Sequence, residues 1–457
     1  MQSSILGRFA DFRHLFPKFE ELSPVNARKT LQVTLAFVGL LVGAGFATGQ
    51  EVVQYFISFG TWGLAGAVVS GLLMIAAGAV IIQIGSYFMA DEHRAVFRSV
   101  SHPVVSKFLD ISVTLTLFAM GFVMLAGAGS TLEQQFGLPA WIGSAIMVVI
   151  VMLTGLLNVN KVTNIISAVT PLIFVAVIVV FVYTMMQLPV DFGSVSELAV
   201  QADSPVTPWW LSGINYTCMA LMLGVSMSLV IGGNTTNPRV AGWGGVLGGV
   251  VYTILLLMNA VALLVNYESV EGSDIPMLQL FETIHPVAAL CMVFVTFIMI
   301  YNTCISMFYA LGRRLSVNHR NRYVPVFLGT CVVGYFISLI GFGTLMSYVY
   351  PAIGYVGMIM VIVMLVWWFR SRKKIEGEES RRDRMRALLT MKESDDKDFP
   401  EGHEKRLEDT AEQSTADNET ITGAIDKEVV SSLSKKNGKN GNTDSSGTSA
   451  SSSKDSH

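Results

Sequence analysis

Between Leu31 and Phe369 the chain is a succession of long apolar runs, nearly all of about 20 residues or more and almost free of charge. At 1.5 Å per residue such a run matches the roughly 30 Å hydrocarbon layer of a bilayer. Inside that layer every backbone polar group must be satisfied by the protein, so only helices or closed barrels can cross it. These runs are too long for barrel strands of about 9–11 residues. The fold class expected is therefore an all-α polytopic membrane protein. Ten spans are read, at about 31–59, 61–89, 104–129, 139–157, 163–186, 208–232, 239–266, 285–311, 323–343 and 345–369.

Basic residues test the count. Arg8, Arg13, Lys18, Arg28 and Lys29 precede the first span. Arg94, Arg98 and Lys107, then Lys161, Arg239, Arg313, Arg314, Arg320 and Arg322, fall in alternate connections. Arg370, Arg372, Lys373 and Lys374 follow the last span. The other connections carry only acids: Glu133, Asp191, Glu197, Asp203, Glu268, Glu271, Asp274 and Glu282. Basic residues stay on the cytoplasmic side, so both termini are expected there.

Composition divides the chain in three. Residues 1–30 form an N-terminal arm whose Ile5, Phe9, Phe12, Phe16 and Phe19 recur on one helical face, with Arg8, Arg13 and Lys18 off it. Such an arm fits an interfacial helix on the inner leaflet, or one packed beneath the bundle. Residues 31–370 form the membrane domain. Residues 371–457 are rich in Ser, Asp, Glu, Lys, Asn and Gly, and are expected to be a disordered cytoplasmic tail. The tail mixes both charge signs, so it is no nucleic-acid arm. No cleavable signal peptide is read, because the first apolar run is too long for one. Cys218, Cys291, Cys304 and Cys331 lie in apolar segments without metal or redox spacing, as small core residues do. No HExxH, paired carboxylates or nucleotide loop appears, so an enzyme is not expected.

The first span is irregular. LVGAGFATGQE, Leu41 to Glu51, places three glycines, a threonine, a glutamine and a glutamate in eleven residues at its middle. Glycine weakens a helix by roughly 1 kcal/mol per position, and a charged side chain at bilayer depth costs several kcal/mol. Its 29 or so residues would also reach about 43 Å as one helix. A break at Gly43–Gly45 accounts for all of this: half-helix N-termini attract anions and freed carbonyls coordinate cations. Close packing by the glycines is the alternative. Span six, NYTCMALMLGVSMSLVIGG (Asn215–Gly233), carries Gly224 and Ser226 near its middle and Ser228 and Gly232 beyond. With five spans in each half the second half runs inverted, and paired broken helices at matching positions point to a secondary-transporter site. The expected architecture is thus a 5+5 inverted repeat with helices one and six broken. IPMLQLFETI, between spans seven and eight, reads as a short helix on the outer mouth, a lid or a loop with one helical turn.

The stretch FVGLLVGAGFATGQEVVQYFISFG closely resembles the first span of the YkvI-type family of bacterial membrane proteins, grouped with the amino acid–polyamine–organocation superfamily of LeuT-like fold. IPMLQL and NTCISMFYALGRRL resemble that family too, and the resemblance covers about residues 30–370. It implies a bacterial cell-membrane transporter whose partners are lipid, a small solute and a coupling cation. It places the amides of Gly43, Ala44 and Gly45 against an anionic group of an amino acid-like substrate. Carbonyls of Gly39 and Val42, with Asn302, Thr303 and Ser306 of span eight, would hold a sodium ion; no other cofactor is implied. The threonine and serine hydroxyls could equally bond back to their own helix. Some relatives that use a proton carry a lysine in span five where sodium would sit; here the only candidate, Lys161, lies at the cytoplasmic end. Glu51, the one acid placed well inside a span, could coordinate a cation, carry a proton, pair with a substrate ammonium, or brace the helix break. Phe46, Tyr55, Phe118, Phe122, Tyr216 and Gly224 are candidates for the substrate pocket. A cation-coupled secondary transporter is the leading expectation, and a non-transporting sensor or envelope scaffold the alternative.

Overall fold

The computed structural model describes residues 24–156, 170–187, 192–317, 322–394 and 401–444. The chain there is helical. The first expected span is three pieces, α1 (Pro24–Leu41), α2 (Ala44–Thr48) and α3 (Gln50–Tyr55), closed by a single 3-10 turn at Ile57–Phe59. Then come α4 (Thr61–Phe88), α5 (His93–Val100), α6 (Pro103–Phe136), α7 (Ala140–Leu156), α8 (Thr170–Met186), α9 (Phe192–Ala199), α10 (Trp209–Gly233) and α11 (Pro238–Val265). The rest are α12 (Tyr267–Val270), α13 (Pro276–Ile284), α14 (Pro286–Leu315), α15 (Tyr323–Ser338), α16 (Phe342–Ser394), α17 (Glu401–Glu412) and α18 (Asn418–Asp444). Among the described residues six helices, α4, α6, α10, α11, α14 and α16, are long and apolar enough to cross a membrane. Three shorter apolar helices and the broken first segment occupy the other expected spans. Leu35, Leu72, Leu115, Phe294 and Phe336 point outward and are more than half exposed, as side chains facing lipid are.

The helices pack in two groups. One is α1, α4, α10 and α11; the other is α6, α7, α14 and α15. The first group is tight because glycines face neighbouring backbones. A side chain at Gly245 or Gly249 would strike the Cα of Ala79 or Ile75 on α4, and one at Gly85 would strike the Leu229 carbonyl of α10. This is the small-residue packing of membrane helices, carried by the GGVLGG of α11. Helix α16 bridges the groups through α10 and α6.

Two expectations are corrected. Span six is not broken: α10 runs unbroken from Trp209 to Gly233. Its small residues serve packing and bonding instead. Leu40 of α1 lies 3.3 Å from where a Gly224 side chain would begin, and Ser226 Oγ bonds His93 Nδ1 at 2.8 Å. The polar tail, expected disordered over 371–457, is helical in its described parts. Helix α16 continues to Ser394, about 80 Å in all, and α17 and α18 fold against its polar half. Met385, Leu389, Leu407, Ala411, Ile421, Ile425 and Val429 close a small core there. These residues recur at steps of four, one stripe per helix, which average composition conceals. Residues 445–457, the arm at 1–23 and Lys161 lie outside the described residues.

The tail is anchored by a buried ion pair. Arg382 and Glu378, both with no exposed side-chain surface, meet at 2.8 Å. Arg382 also donates to the carbonyls of Ser86 and Tyr87 at the end of α4 (2.8 and 2.9 Å) and of Thr236 before α11 (3.2 Å). Glu428 of α18 pairs with Lys29 of α1 at 2.6 Å and accepts from Thr236. Removing one member of a buried pair typically costs about 3–5 kcal/mol, because the other charge is left behind. Arg382→Met is expected to lower stability by that order, read as a lower thermal unfolding midpoint, and Glu378→Gln added to it should restore part of the loss.

Candidate functional site

The break in the first span is built by two glycines. Gly43 is extended (φ −108°, ψ −156°) and ends α1, and Gly49 sits in the left-handed region (φ +77°) between α2 and α3. A side chain at Gly49 would meet Met277 of α13, so glycine is needed there for conformation and for space. Gly45, expected in the break, is instead helical within α2. Side chains of α2 itself and of neighbouring helices satisfy carbonyls along the interrupted span. Thr48 Oγ1 donates to Gly45 O (3.0 Å), Thr296 Oγ1 of α14 to Ala47 O (3.4 Å), and Ser212 Oγ of α10 to Tyr55 O (2.7 Å).

A cavity of about 190 Å³ lies beside α2, between the two helix groups. Gly39, Val42, Gly43, Ala44, Gly45, Phe46, Glu51, Tyr216, Gly224, Asn302, Thr303 and Ser306 all line it. The structure thus brings these twelve to one place, while the pocket candidates Tyr55, Phe118 and Phe122 do not line it. Of the other aromatics, Tyr55 stands behind the wall, its hydroxyl on Asn215 at 3.3 Å, and Phe118 packs on Phe122. Five methionines complete the lining: Met120, Met124, Met219, Met299 and Met307. Sequence reasoning missed these, and missed Tyr252. No spacing within one helix marks the methionines, because they come from three helices.

Glu51 is buried, with 7% of its surface exposed. Tyr216 of α10 donates to its Oε2 at 3.2 Å, and the Tyr350 hydroxyl of α16 also faces the carboxyl. A methyl on Gly45 would overlap the Glu51 carboxyl, so Gly45 provides the space in which that carboxyl sits. Thr303 Oγ1 donates back to Met299 O at 3.2 Å, as one reading expected, and lies close beside Gly43. Its oxygen keeps lone pairs free for the cavity.

The cavity lies between two closures. At the acidic end α13 is the expected short helix. Gln134 of α6 clamps it through Ile275 N (3.0 Å) and O (3.2 Å), and Ser130 donates to Asp274 at 2.8 Å. At the basic end Asp110 of α6 accepts from Arg94 (2.9 Å) and from Arg314 of α14. His93 of α5 joins Ser226 to Arg314 Nη1, each at 2.8 Å. Arginine is always a donor, so His93 Nε2 accepts and the ring is neutral.

The chain is 26% identical over 336 residues to the uncharacterized membrane protein YkvI of Bacillus subtilis, covering 73% of this chain and 94% of that protein. It is 24% identical over 348 residues to the uncharacterized protein YyaD of the same organism, covering 76% and 99%. No protein-family model matches. Among solved structures, a mutant of the manganese transporter of Eremococcus coleocola matches with a TM-score of 0.51 and 13% identity over 91% of this chain and 96% of that one. Mhp1 in its inward-facing conformation matches with a TM-score of 0.49 and 13% identity over 76% and 77%. The first of these shares the fold. With these homologues and its apolar helices, the chain is a multi-pass membrane protein.

Two outcomes are expected. Gly45→Ala should keep the protein folded, since only the end of a flexible side chain must move, yet it should displace the Glu51 carboxyl. Labelling of Glu51 by a hydrophobic carbodiimide, read by mass spectrometry, should rise over wild type. The second concerns His93. Burial first, then Arg314, lowers its pKa to about 4 from 6.5. A lowered folded-state pKa gives stability that is complete above pH 6.5 and is lost as pH falls towards 4, on the order of 3 kcal/mol. The unfolding midpoint should fall over that window, and His93→Gln should flatten the fall.

Proposed function

We propose that this relative of the YkvI-type membrane proteins is a cation-coupled secondary transporter of a small organic solute, most closely amino acid-like. The observation that carries the reading is the buried Glu51 carboxyl, set in the space left by Gly45 on an interrupted span beside a cavity between the two helix groups. An acid at such depth is costly, and it marks an ion or proton path more often than packing.

The finer assignments follow on the same reading. The chain crosses ten times as two inverted halves of five, with both termini cytoplasmic. The packing supports this: spans one, two, six and seven form one group and spans three, four, eight and nine the other, so each group holds pairs of spans five apart. The solute's anionic group meets the amides at Gly43–Gly45, where α2 starts without a side-chain cap. Phe46, Tyr216 and Gly224 flank the rest of the solute. The methionine wall is apolar and adaptable, which suits an apolar side chain. A cavity of 190 Å³ is smaller than the roughly 300–1,000 Å³ of drug-sized sites, so the solute is small. Gly39 and Val42 carbonyls with Asn302, Thr303 and Ser306 offer the oxygen ligands a sodium ion takes. Glu51 serves that ion or carries a proton in its place.

The packed tail favours a second reading, a sensor or scaffold on a transporter fold. One experiment separates these. Thermal stability of the purified protein is measured in sodium against potassium at two pH values, for wild type, Glu51→Gln and a chain ending at residue 400. A ligand bound only by the folded state raises stability by RT ln(1 + [L]/Kd). A sodium-specific rise, lost in Glu51→Gln and kept in the shortened chain, is the expected result. A pH response lost in the mutant, with no sodium response, assigns the coupling to protons. No response to either leaves the second reading ahead.

A further inference from the structure

Helix α1 stops at the break before α2, and its last residues, Gly39, Leu40, Leu41 and Val42, line the central cavity. Because α1 enters from the basic end, these residues, with Gly224 of α10 and Ser306 and Met307 of α14, form the cavity wall on that side. Whatever seats α1 therefore sets that wall.

Two kinds of contact seat it. The first is packing. Val33 and Phe37 fill notches left by Gly244 and Gly248 of α11 and Gly78 of α4, and Thr34 Oγ1 donates to Gly244 O at 3.2 Å. Leu31 and Leu35 of α1 are more than half exposed. In a bilayer an apolar helix gains little by exchanging lipid for protein, so polar ties weigh more there than they would in water.

The second is the tail. Lys29 Nζ meets Glu428 Oε2 of α18 at 2.6 Å. Lys29 lies fourteen residues before Gly43, about 21 Å along the helix, so a tie there acts at the far end of a lever. Glu428 is itself held. Thr236, just before α11, donates to it, and Arg386 Nη2 of α16 stands 3.4 Å from its other oxygen. Arg386 Nη2 also donates to Thr236 Oγ1 at 3.0 Å. Glu378 aims α18 at this point, accepting from Ser414 Oγ (2.5 Å) and Thr415 N (3.2 Å) in the turn between α17 and α18. Ile421, Ile425 and Val429 of α18 fix it further in the small tail core. The tail thus grips α16, the connection before α11, and α1 together.

Its attachments differ in exposure. Arg382 and Glu378 have no exposed side-chain surface, whereas the Lys29 side chain is 31% exposed. Water and salt reach the Lys29 pair, and an ion pair that water reaches forms and breaks at little cost. The tail has one fixed attachment and one that releases.

From these contacts we propose that the tail is an autoinhibitory latch. Helix α18, through Glu428, holds Lys29 and keeps α1 seated; its release lets α1 hinge at Gly43 and opens the cavity towards the basic end. What passes through the opened cavity rests on the transport reading above, and the latch itself does not.

The test is hydrogen–deuterium exchange, read by mass spectrometry, on the full purified chain in lipid nanodiscs. Wild type is compared with Lys29→Gln, Glu428→Gln and the two together. Lys29→Gln leaves Glu428 its bonds with Thr236 and Arg386, so the tail stays folded while the tie to α1 is lost. Either single variant is expected to exchange about tenfold faster in α1, with α4 and α14 unchanged. The double variant should exchange no faster than either single one, as for two partners in one contact. The same set is made with Ala220→Cys, a position that lines the cavity. Labelling of residue 220 by a water-soluble maleimide should rise about tenfold when Lys29 or Glu428 is replaced. Unchanged exchange of α1 in both single variants overturns the latch. Faster exchange spread equally over α1, α4 and α14 also overturns it, because that marks general loosening. Faster exchange of α1 without faster labelling overturns the opening of the cavity. Should Glu428→Gln fail to fold, Lys29→Gln decides alone. Neither readout needs a solute or a coupling ion, so a missing sodium or pH response counts against the transport reading and leaves this result intact.

Discussion

A helix interrupted at bilayer depth must have its freed backbone groups met by protein, because lipid cannot meet them. Much of this structure is arranged around that need. The five residues of α2 hang between Gly43 and Gly49, and the neighbouring helices supply partners to them or to α3 just beyond. Helix α14 brings Thr296 to the Ala47 carbonyl and Thr303 to the side of Gly43. Helix α10 brings Ser212 to the Tyr55 carbonyl and Tyr216 to Glu51. Helix α13 closes over Gly49 with Met277. The interrupted span thus touches both helix groups, which α16 also bridges.

How far this was legible in the sequence depends on which force placed each residue. The apolar runs and the basic and acidic connections are one-dimensional signals, and the helices follow them closely. The first break was legible because glycines, Thr48, Gln50 and Glu51 together have no other economical explanation. The same reasoning failed on span six. Glycine and serine there face α1, α4 and His93, and a sequence does not say whether a small residue ends a helix or lets another approach it. Gly45 shows the same ambiguity from the other side: its importance is the volume it leaves for a carboxyl six residues on. The methionine wall was illegible because it is assembled from α6, α10 and α14. The tail was misread for a different reason. Its mean composition is that of a disordered segment, yet a stripe of one apolar residue every four was enough once α16 offered a surface.

Arg382 explains why that tail is more than a solvated extension. Beyond Glu378 its hydrogen bonds among the described residues go to carbonyls of Ser86, Tyr87 and Thr236, which end α4 or precede α11. Asn237 donates to Asp383 at 3.2 Å, and Glu428 holds Lys29 on α1. Each of these contacts falls on the group α1, α4, α10 and α11, and the His93, Asp110 and Arg314 network ties that group to the other at the same end. The basic end therefore carries two kinds of joint. One, within a group, is a buried arginine that water cannot easily reach. The other, between groups, centres on a histidine that acid can charge.

That difference bears on how a coupled transporter could be made from these parts. Coupling between two ligands is reciprocal, and each must favour the same conformation of an element that both touch. On the proposed reading α2 is that element. Its first residues, Gly43 to Phe46, line one side of the cavity, Glu51 lies one turn beyond it, and Thr303 stands opposite Gly43. A cation drawn to the carboxyl or the threonine oxygen, and a solute anion drawn to the α2 amides, would both act on five residues flanked by glycine. Neither needs to move a long helix. The rigid joint at Arg382 keeps the helices behind α2 together as one body. The link between the groups at this end, through Ser226, His93 and Arg314, is one whose opening would let that body turn.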